Sequence, residues 1–203
     1  MKLLEVFSGT KSLGKVAEEL GWTVVSLDIS DEFSPTIVAD ILEWDYTVFS
    51  PGEFHYVHAS PPCEIFSIAH SHGKRDFIKG DAIAKRTLEI IDYLKPRFYS
   101  IENPYKSLIW QREFKDLGCT TVDYCCYSLW GFRKRTKLAT NIDFNPRVCR
   151  GDCQNMRGTR HRTTAQQGTH GRYEKQTKKS VDLYRIPPAL CKELLENTFQ
   201  SQW

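Results

Sequence analysis

The sequence predicts an α/β domain in which a mainly parallel sheet is flanked by helices. Up to residue 144, short runs rich in β-branched and aromatic residues alternate with segments of helical periodicity. Several of these predicted strands end in an acidic or reactive side chain. Because ligands bind at the carboxyl ends of the strands in open α/β sheets, these side chains are the first candidates for a functional site.

The composition is that of an ordinary folded protein, with 40% hydrophobic residues, 26% charged residues and a net charge of +3 over 203 residues. No apolar run reaches the length of a membrane span, and the amino terminus lacks the features of a signal peptide. We therefore expect an intracellular protein, in the cytoplasm or nucleus of a host, with no membrane partner. The seven cysteines do not suggest a disulfide framework.

The first predicted unit is a strand, a tight turn, a helix and a second strand. The strands cover residues 2–7 and 23–27, the turn is Ser8-Gly9-Thr10, and the helix covers residues 11–20 and ends at Gly21. Asp28 follows the second strand, roughly 20 residues after the turn, which is the layout of a nucleotide-type cofactor site. An ordinary βαβ turn would give the same pattern, because the full glycine fingerprint is missing.

A third short strand at residues 37–39 ends at Asp40-Ile41. If Asp28 and Asp40 share a crevice, Asp28 suits the hydroxyls of a ribose. Asp40 with Ile41 then suits the amino group and the ring face of an adenine. The alternative is that both acids are solvated loop residues or caps.

The fourth predicted strand, residues 54–58, runs into Ser60-Pro61-Pro62-Cys63. The two prolines stop the strand and stiffen the backbone, because their φ angle is fixed and they donate no hydrogen bond. A thiol on a stiff loop at a strand's carboxyl end is a candidate nucleophile. The alternative is a buried structural cysteine, since free cysteine is among the most buried residue types.

The next elements are a mobile loop at residues 70–80, a helix at 82–94 capped by Asp81, and a strand at 97–101. Glu102-Asn103-Pro104 follows that strand; it is either a plain Asn-Pro turn or a rigid loop that holds Glu102 beside the thiol as a general acid. Further strands are predicted at residues 119–127 and 138–140, separated by a basic cluster at 133–137 that is either a solvated turn or a phosphate contact.

Residues 145–180 are a basic insert between two parts of one catalytic domain, residues 1–144 and 181–203, whose last helix covers 189–196. The insert is either a nucleic-acid contact or a solvated loop, since it has few apolar residues and these basic side chains: Arg147, Arg150, Arg157, Arg160, Arg162, Arg172, Lys175, Lys178 and Lys179. Cys149 and Cys153, with His161 and His170 downstream, could bind a structural zinc ion; we predict Cys149, Cys153 and His161 as the ligands.

Taken in order, the motifs resemble those of the DNA (cytosine-5) methyltransferases, and the chain is similar to a compact member with a reduced target-recognition region. The resemblance covers residues 1–141 and resumes at 184–195. It is carried by these segments: Phe7-Ser8-Gly9-Thr10, Asp28, Asp40-Ile41, Ser60-Pro61-Pro62-Cys63, Phe66-Ser67, Glu102-Asn103-Pro104, Gly131-Phe132-Arg133-Lys134-Arg135 and residues 185–190.

The resemblance implies a Rossmann-like sheet that uses S-adenosylmethionine to methylate carbon 5 of a flipped cytosine in DNA. The implied catalytic residues are Cys63 as the nucleophile at carbon 6, Glu102 at ring nitrogen 3, and Arg135 or Arg133 at the base carbonyl or a phosphate. The implied cofactor-binding residues are Phe7, Ser8, Gly9, Thr10, Leu13, Asp28, Ile29, Asp40, Ile41 and Pro62. The implied substrate-binding residues are Ser60, Pro61, Ser67, Asn103 and Pro104.

Three departures from the family pattern bear on function. Lys11-Ser12 stands where the family usually has glycine, and Pro104 replaces a valine. Residues 145–179 are short for target recognition, so we expect a sequence specificity that is short, degenerate or absent, or one that is supplied by a partner protein or an oligomer. Two alternatives are open: the same pocket acts on RNA, single-stranded DNA or a free nucleotide, or the chain is a catalytically silent DNA-binding module. The compact size suits a virus- or phage-type enzyme.

Overall fold

The computed structural model describes residues 1–68, 75–130, 132–164 and 184–200. Its helices are α1 (Ser12–Glu19), α2 (Phe77–Leu94) and α3 (Pro188–Gln200), and short 3₁₀ turns cover Tyr46–Val48, Leu108–Gln111 and Tyr124–Cys126. The strands in chain order are β1 (Lys2–Val6), β2 (Thr23–Asp28), β3 (Ile37–Val38), β4 (Tyr56–Ala59), β5 (Phe98–Pro104), β6 (Cys119–Asp123), β7 (Phe132–Arg133), β8 (Arg135–Thr140), β9 (Met156–Arg157), β10 (Arg160–His161) and β11 (Thr163–Thr164).

The central sheet has seven strands in the order β3-β2-β1-β4-β5-β8-β6. The first five run parallel, and β8 lies antiparallel between β5 and β6. Val6 pairs with both Leu27 and Ala59, and Ala59 pairs with Ile101. The predicted mainly parallel α/β fold is therefore confirmed, and the residues that follow these strands leave the sheet at one edge.

Side-chain alternation along the strands divides the core between the two faces of the sheet. Leu3 and Tyr56 pack with α1 and α3, whereas their neighbours Leu4 and Val57 pack with α2. These four side chains are completely or almost completely buried. Strands buried on both faces read as continuous apolar runs, which explains why the strand alternation in the sequence is weak.

The predicted start of the second helix at residue 82, with Asp81 as its cap, is wrong. The helix α2 begins five residues earlier at Phe77, and the side chain of Asp76 accepts a hydrogen bond from the Lys79 N–H at 2.9 Å. Asp81 lies inside the helix and forms an ion pair with Arg112. The carboxyl side of the predicted loop at 70–80 is therefore helical, and residues 69–74 lie outside the described residues.

Several other predicted boundaries also change in the structure. Glu102-Asn103-Pro104 belongs to β5 and does not follow it, because the antiparallel strand β8 pairs with that segment. The predicted strand at 119–127 ends at Asp123 and continues as a 3₁₀ turn, and β8 begins at Arg135 instead of residue 138. The last helix is longer than predicted at both ends, and begins at Pro188.

The basic insert contains two small pieces of sheet. The strands β9 and β10 pair antiparallel, and β11 pairs parallel with β7 of the catalytic part. The predictions for His170, Arg172, Lys175, Lys178 and Lys179 concern positions outside the described residues, and the division at 145–180 stays a prediction. In the parts of the chain that the structure describes, no helix has both the length and the apolar character needed to cross a membrane.

The cap of α2 gives a direct test of where this helix begins. We expect Asp76→Ala to weaken the first turn by about 1 kcal/mol, because the Lys79 N–H loses its acceptor. Hydrogen exchange at the amides of residues 77–80 measures this loss. Asp81→Ala is the control, since it removes the ion pair with Arg112 and keeps the cap. Faster exchange at these amides in Asp81→Ala alone would contradict a start at Phe77.

Candidate active site

A cavity of about 810 Å³ opens at the sheet edge where β1, β2, β4 and β5 end. Its volume lies in the range of small-molecule and cofactor sites, roughly 300–1,000 Å³. The wall includes these residues of the predicted site: Phe7, Ser8, Gly9, Thr10, Asp28, Ser60, Pro61, Pro62, Cys63, Ser67, Glu102, Asn103 and Pro104. Most of the predicted cofactor-binding and substrate-binding residues therefore share one cavity.

The loop after β1 has an unusual backbone conformation. Phe7, Gly9 and Lys11 have φ angles of 57°, 43° and 53°, and this left-handed region is rare for a bulky residue such as phenylalanine. The Gly9 N–H donates to Asp28 Oδ2 at 2.8 Å, and the Ser8 N–H donates to the Leu27 carbonyl at 3.0 Å. These bonds fix the strained loop against the end of β2, so that its polar groups line the cavity.

Glu5 is a buried carboxylate beneath this loop that the sequence analysis does not identify. Its two oxygens accept hydrogen bonds from the N–H groups of Leu13 and Gly14, at 3.0 and 2.9 Å, in the first turn of α1. A Cβ atom on Gly14 would lie 2.6 Å from Glu5 Oε2, so the contact needs glycine there. Burial raises the pKa of Glu5 to about 7, against the lowering effect of the two backbone hydrogen bonds.

Cys63 lies on the Pro-Pro-Cys loop after β4 and lines the cavity. The Asn103 Nδ2 donates to the Pro61 carbonyl at 2.8 Å and so attaches this loop to β5. Burial raises the pKa of the Cys63 thiol, the carboxylates of Glu102 and Glu64 raise it further, and Lys134 opposes them. The thiol is therefore protonated at neutral pH, and it needs a cationic neighbour to stabilise the thiolate.

Glu102 faces the cavity from β5 and has two neighbours. The Tyr124 hydroxyl donates to Glu102 Oε1 at 2.8 Å, and Lys134 Nζ lies 3.6 Å from the same oxygen. Lys134 also lies over the Tyr124 ring, at 4.8 Å from its centroid. Burial raises the pKa of Tyr124 well above its usual value, so its hydroxyl stays a donor. Asn103 Oδ1 beside Glu102 is buried with no hydrogen-bond partner among the described residues.

Arg133 and Arg135, predicted as catalytic, bind the buried carboxylate of Asp123 and do not line the cavity in the described part of the chain. Arg135 Nη2 donates to Asp123 Oδ2 at 2.7 Å, and Arg133 Nε donates to Oδ1 at 3.2 Å. Lys134, between them, points to the opposite side and lines the cavity. The motif predicts the two arginines, whereas the residue of this segment that lines the cavity is Lys134, between β7 and β8.

Four predicted cofactor residues do not belong to the described cavity wall. Leu13 is fully buried in the core beneath the loop, and Ile29 is 66% exposed. Asp40 accepts a hydrogen bond from the Leu42 N–H at 3.0 Å, as a turn residue does, and Ile41 packs in the core with α2. Their contacts with a cofactor stay predictions. The turn hydrogen bond of Asp40 fits the alternative that this acid is a loop residue or a cap.

A chain of buried polar groups supports the Pro-Pro-Cys loop from below. Ser60 Oγ lies 3.1 Å from His58 Nε2, and Ser100 Oγ lies 2.6 Å from His58 Nδ1 and 2.7 Å from the Tyr56 hydroxyl. Burial lowers the pKa of His58 to about 4, so the imidazole is neutral. Ser60 therefore reaches the cavity from a fixed position. The sequence did not predict that Tyr56, His58 and Ser100 would support it.

The predicted metal ligands lie together at the junction of the insert and the sheet. The sulfur atoms of Cys149 and Cys153 lie 3.5 and 3.3 Å from His161 Nε2. Cys125, from the 3₁₀ turn after β6, joins them, and the four candidate ligand atoms are all within 4.8 Å of one another. The spacing of the two insert cysteines led to three of these residues, but Cys125 is too distant in sequence for a spacing rule to find.

Comparison with known proteins gives one close relative and a set of structural neighbours. The chain is 38% identical, over 219 aligned residues, to a "Probable DNA (cytosine-5)-methyltransferase" of Frog virus 3 (isolate Goorha). The alignment covers 97% of this chain and 99% of the relative. No protein-family model matches the chain.

Two solved structures share the fold at low sequence identity. One is a candidate DNA modification methyltransferase encoded within an E. coli prophage, with a TM-score of 0.54, 14% identity and 73% of this chain covered. The other is the methyltransferase EhMeth of Entamoeba histolytica, with a TM-score of 0.51, 15% identity and 69% covered. This chain spans about half of each, 51% and 52% respectively.

The raised pKa of Glu5 predicts the pH dependence of stability. Because its pKa is about 7 in the folded chain and 4.5 otherwise, the folded state binds the extra proton, and stability falls as pH rises through this window. We expect the unfolding free energy of the wild type, relative to Glu5→Gln, to decrease by roughly 3 kcal/mol between pH 4 and 8. Urea unfolding across that range measures it. An unchanged difference between the two proteins would contradict the shift.

Proposed function

The chain belongs to the DNA (cytosine-5)-methyltransferase family, and we propose that it methylates carbon 5 of cytosine in DNA through a covalent adduct with Cys63. Membership of this family implies S-adenosylmethionine as the methyl donor. The observation that carries the proposal is the shared cavity: Cys63 and Glu102 line one part of its wall, and Asp28 with the loop after β1 lines another.

The chemistry requires a nucleophile and a hydrogen-bond or proton donor that act on the same cytosine ring. Carbon 5 of cytosine is a poor nucleophile, and addition of the Cys63 thiolate at carbon 6 makes the ring enamine-like. Negative charge then develops on the ring at nitrogen 3. A group that donates a hydrogen bond or a proton there stabilises the charge, and this is the function we assign to Glu102.

Tyr124 and Lys134 set the position of Glu102. The Tyr124 hydroxyl fixes one carboxyl oxygen at 2.8 Å, and Lys134 lies 3.6 Å from the same atom. Lys134 also opposes the upward pKa shift of Cys63. We therefore assign to Lys134 the stabilisation of negative charge at Cys63 and Glu102, whereas the resemblance implied Arg135 or Arg133 at the base carbonyl or a phosphate. The two arginines, about one-third exposed and held by Asp123, suit contacts with phosphates near the flipped nucleotide.

The described residues of the loop after β1 fit a nucleoside-type donor. Ser8 Oγ is buried at the cavity wall with no hydrogen-bond partner among the described residues, and a bound polar group would satisfy it. The strained backbone at Phe7 and Gly9 lines the same part of the wall, beside the Asp28 carboxylate. S-adenosylmethionine supplies an electrophilic methyl group when bound. Ser8, Gly9, Thr10 and Asp28 would hold its polar parts.

The reaction leaves the chain unchanged. The adduct forms a bond between Cys63 and carbon 6. Carbon 5 would then take the methyl group of S-adenosylmethionine, which would leave as S-adenosylhomocysteine. Loss of the carbon 5 proton to a general base and elimination release the Cys63 thiolate. The target cytosine must leave the duplex to reach a thiol inside the cavity. Residues 145–180 would contact the DNA, and a partner protein or a second copy of the chain would add to target recognition.

A zinc ion bound by Cys149, Cys153 and His161 belongs to the same proposal as a structural element. The sulfur atoms of Cys149 and Cys153 each lie within 3.5 Å of His161 Nε2. Thiolate and imidazole ligands suit zinc, and the three residues between Cys149 and Cys153 fit the spacing of structural sites. The ion lies on the insert side and takes no part in the reaction.

Trapping on fluorinated DNA tests the nucleophile and the reaction together. Fluorine at carbon 5 does not leave as a proton, so a methylating cysteine enzyme stays attached to the base. We expect a denaturation-resistant adduct on duplexes in which 5-fluorocytosine replaces cytosine, with S-adenosylmethionine present. Cys63→Ala should abolish it and reduce methyl transfer by at least about a thousand-fold. Cys119→Ala, which removes an exposed thiol, is the matched control.

The outcomes of this experiment separate the alternatives. An adduct on RNA or single strands, with none on duplex DNA, would replace the substrate and keep the nucleophile. No adduct on any nucleic acid, from protein that still binds the donor, would overturn the proposal in favour of a silent binding module.

The function of Lys134 predicts a shift in cysteine reactivity. Lys134→Ala should raise the pKa of Cys63 and slow its alkylation by iodoacetamide at pH 8, because Lys134 stabilises the thiolate. The methyl-transfer rate should fall by about 10²- to 10³-fold, as for loss of a charge-stabilising donor. Lys137→Ala is the reciprocal control: it should raise the pKa of Cys119 and not that of Cys63. Peptide-level mass spectrometry reads both sites, and equal effects at the two cysteines would contradict the assignment.

A further inference from the structure

We propose that Cys125 completes a Cys₃His zinc site with Cys149, Cys153 and His161, and that the ion joins the insert to the catalytic sheet. This inference rests on the zinc ion of the proposed function, and it gives that ion a different structural effect. A site made of insert residues alone would stabilise the insert only. A site that includes Cys125 fixes the insert at a defined place, because Cys125 follows directly after the core strand β6.

The donor set favours zinc over other uses of these side chains. Three thiols and one imidazole converge with all four candidate atoms within 4.8 Å of one another. In a tetrahedral site with Zn–S bonds of about 2.3 Å, ligand atoms lie roughly 3.8 Å apart, so the observed spread needs little adjustment. A disulfide would involve only two of the sulfur atoms, so it would not explain why a third thiol and the imidazole lie beside them.

The backbone around the cluster already supports sulfur ligands. The Gly151 N–H donates to Cys149 Sγ at 3.4 Å, within a turn where Gly151 has a φ angle of 89°. The backbone N–H of Asn155 donates to the Cys153 sulfur. Hydrogen bonds to the ligand atoms are the outer support that orients ligands in metal sites. The sulfur atoms of Cys149 and Cys153 therefore already have the backbone hydrogen bonds that support ligands in metal sites.

Asn155 links the two sides of the cluster. Its side chain is 1% exposed, and Nδ2 donates to the carbonyl of Cys125 at 2.9 Å and to that of Ser128 at 2.6 Å. Asn155 lies two residues after Cys153, so a residue of the insert holds the turn that carries Cys125. The fourth ligand is thus held in place by the same segment that supplies the other ligands.

The cluster is also connected to the basic side chains beside the active site. The Cys149 N–H donates to Asp123 Oδ2 at 2.9 Å, and the same carboxylate binds Arg133 and Arg135. Asp123 is fully buried and lies two residues before Cys125. Fixing Cys125 and Cys149 on one ion would therefore hold Asp123 and its two arginines, which the proposed function places near phosphate.

Metal content is the first test, on the full chain purified without chelator. We expect one zinc ion per chain by mass spectrometry of the metal. Cys125→Ser should lose zinc to a competing chelator at least roughly tenfold more readily than the wild type. Cys126→Ser, which alters the neighbouring thiol in the same turn, should keep wild-type zinc. Equal retention in both variants, or wild-type protein that takes up no zinc on refolding with it, would overturn the proposal.

X-ray absorption at the zinc edge of the wild type tests the ligand set even if Cys125→Ser does not fold. Three sulfur ligands at about 2.3 Å and one nitrogen at about 2.0–2.1 Å are expected. Two sulfur ligands would exclude Cys125 and overturn the proposal.

A binding measurement tests the junction itself. Zinc removal should weaken binding to duplex DNA by roughly tenfold and leave binding of S-adenosylhomocysteine unchanged, because the arginines move and the loop after β1 does not. Equal loss of both would indicate general unfolding and contradict the junction. Cys63→Ala should bind zinc as the wild type does, so a failed zinc site and a failed nucleophile give separate results.

Discussion

The parallel register of β1, β4 and β5 is the constraint on which the site depends. Ala59 pairs with Val6 on one side and with Ile101 on the other, so β1 and β4 end at the level of Ile101, one residue before Glu102 in β5. The strained loop after β1, the Pro-Pro-Cys loop and Glu102 therefore meet around one cavity. A shift of one residue in this register would turn each side chain to the opposite face and separate Cys63 from Glu102.

The same edge holds several buried polar groups that cost stability unless they are paired. Glu5 accepts two backbone hydrogen bonds, Asn103 donates to the Pro61 carbonyl, and Asp123 binds two arginines. Two of the buried atoms that have no hydrogen-bond partner among the described residues, Ser8 Oγ and Asn103 Oδ1, belong to residues that line the cavity. A site that binds polar ligands keeps such atoms because the ligands complete them.

Asp123 connects the catalytic sheet with the insert. It ends β6, accepts the Cys149 N–H, and anchors Arg133 and Arg135 on either side of Lys134. The alternation of these three basic residues puts the lysine into the cavity and the arginines outside it. One buried carboxylate thus holds the two partly exposed arginines that flank the cavity-lining lysine.

The sequence by itself determined the α/β class, the order of the motifs and the candidates Cys63, Glu102 and Asp28, because strand periodicity, proline and strand-end chemistry are local signals. It placed the start of α2 five residues late because Asp81 is the predicted cap, whereas in the structure Asp76 caps the helix and Asp81 pairs with the distant Arg112. Only the tertiary structure brought Lys134 to Glu102 and Cys125 to the insert cysteines. These contacts join residues far apart in sequence, and sheet pairing, which no local pattern encodes, decides them.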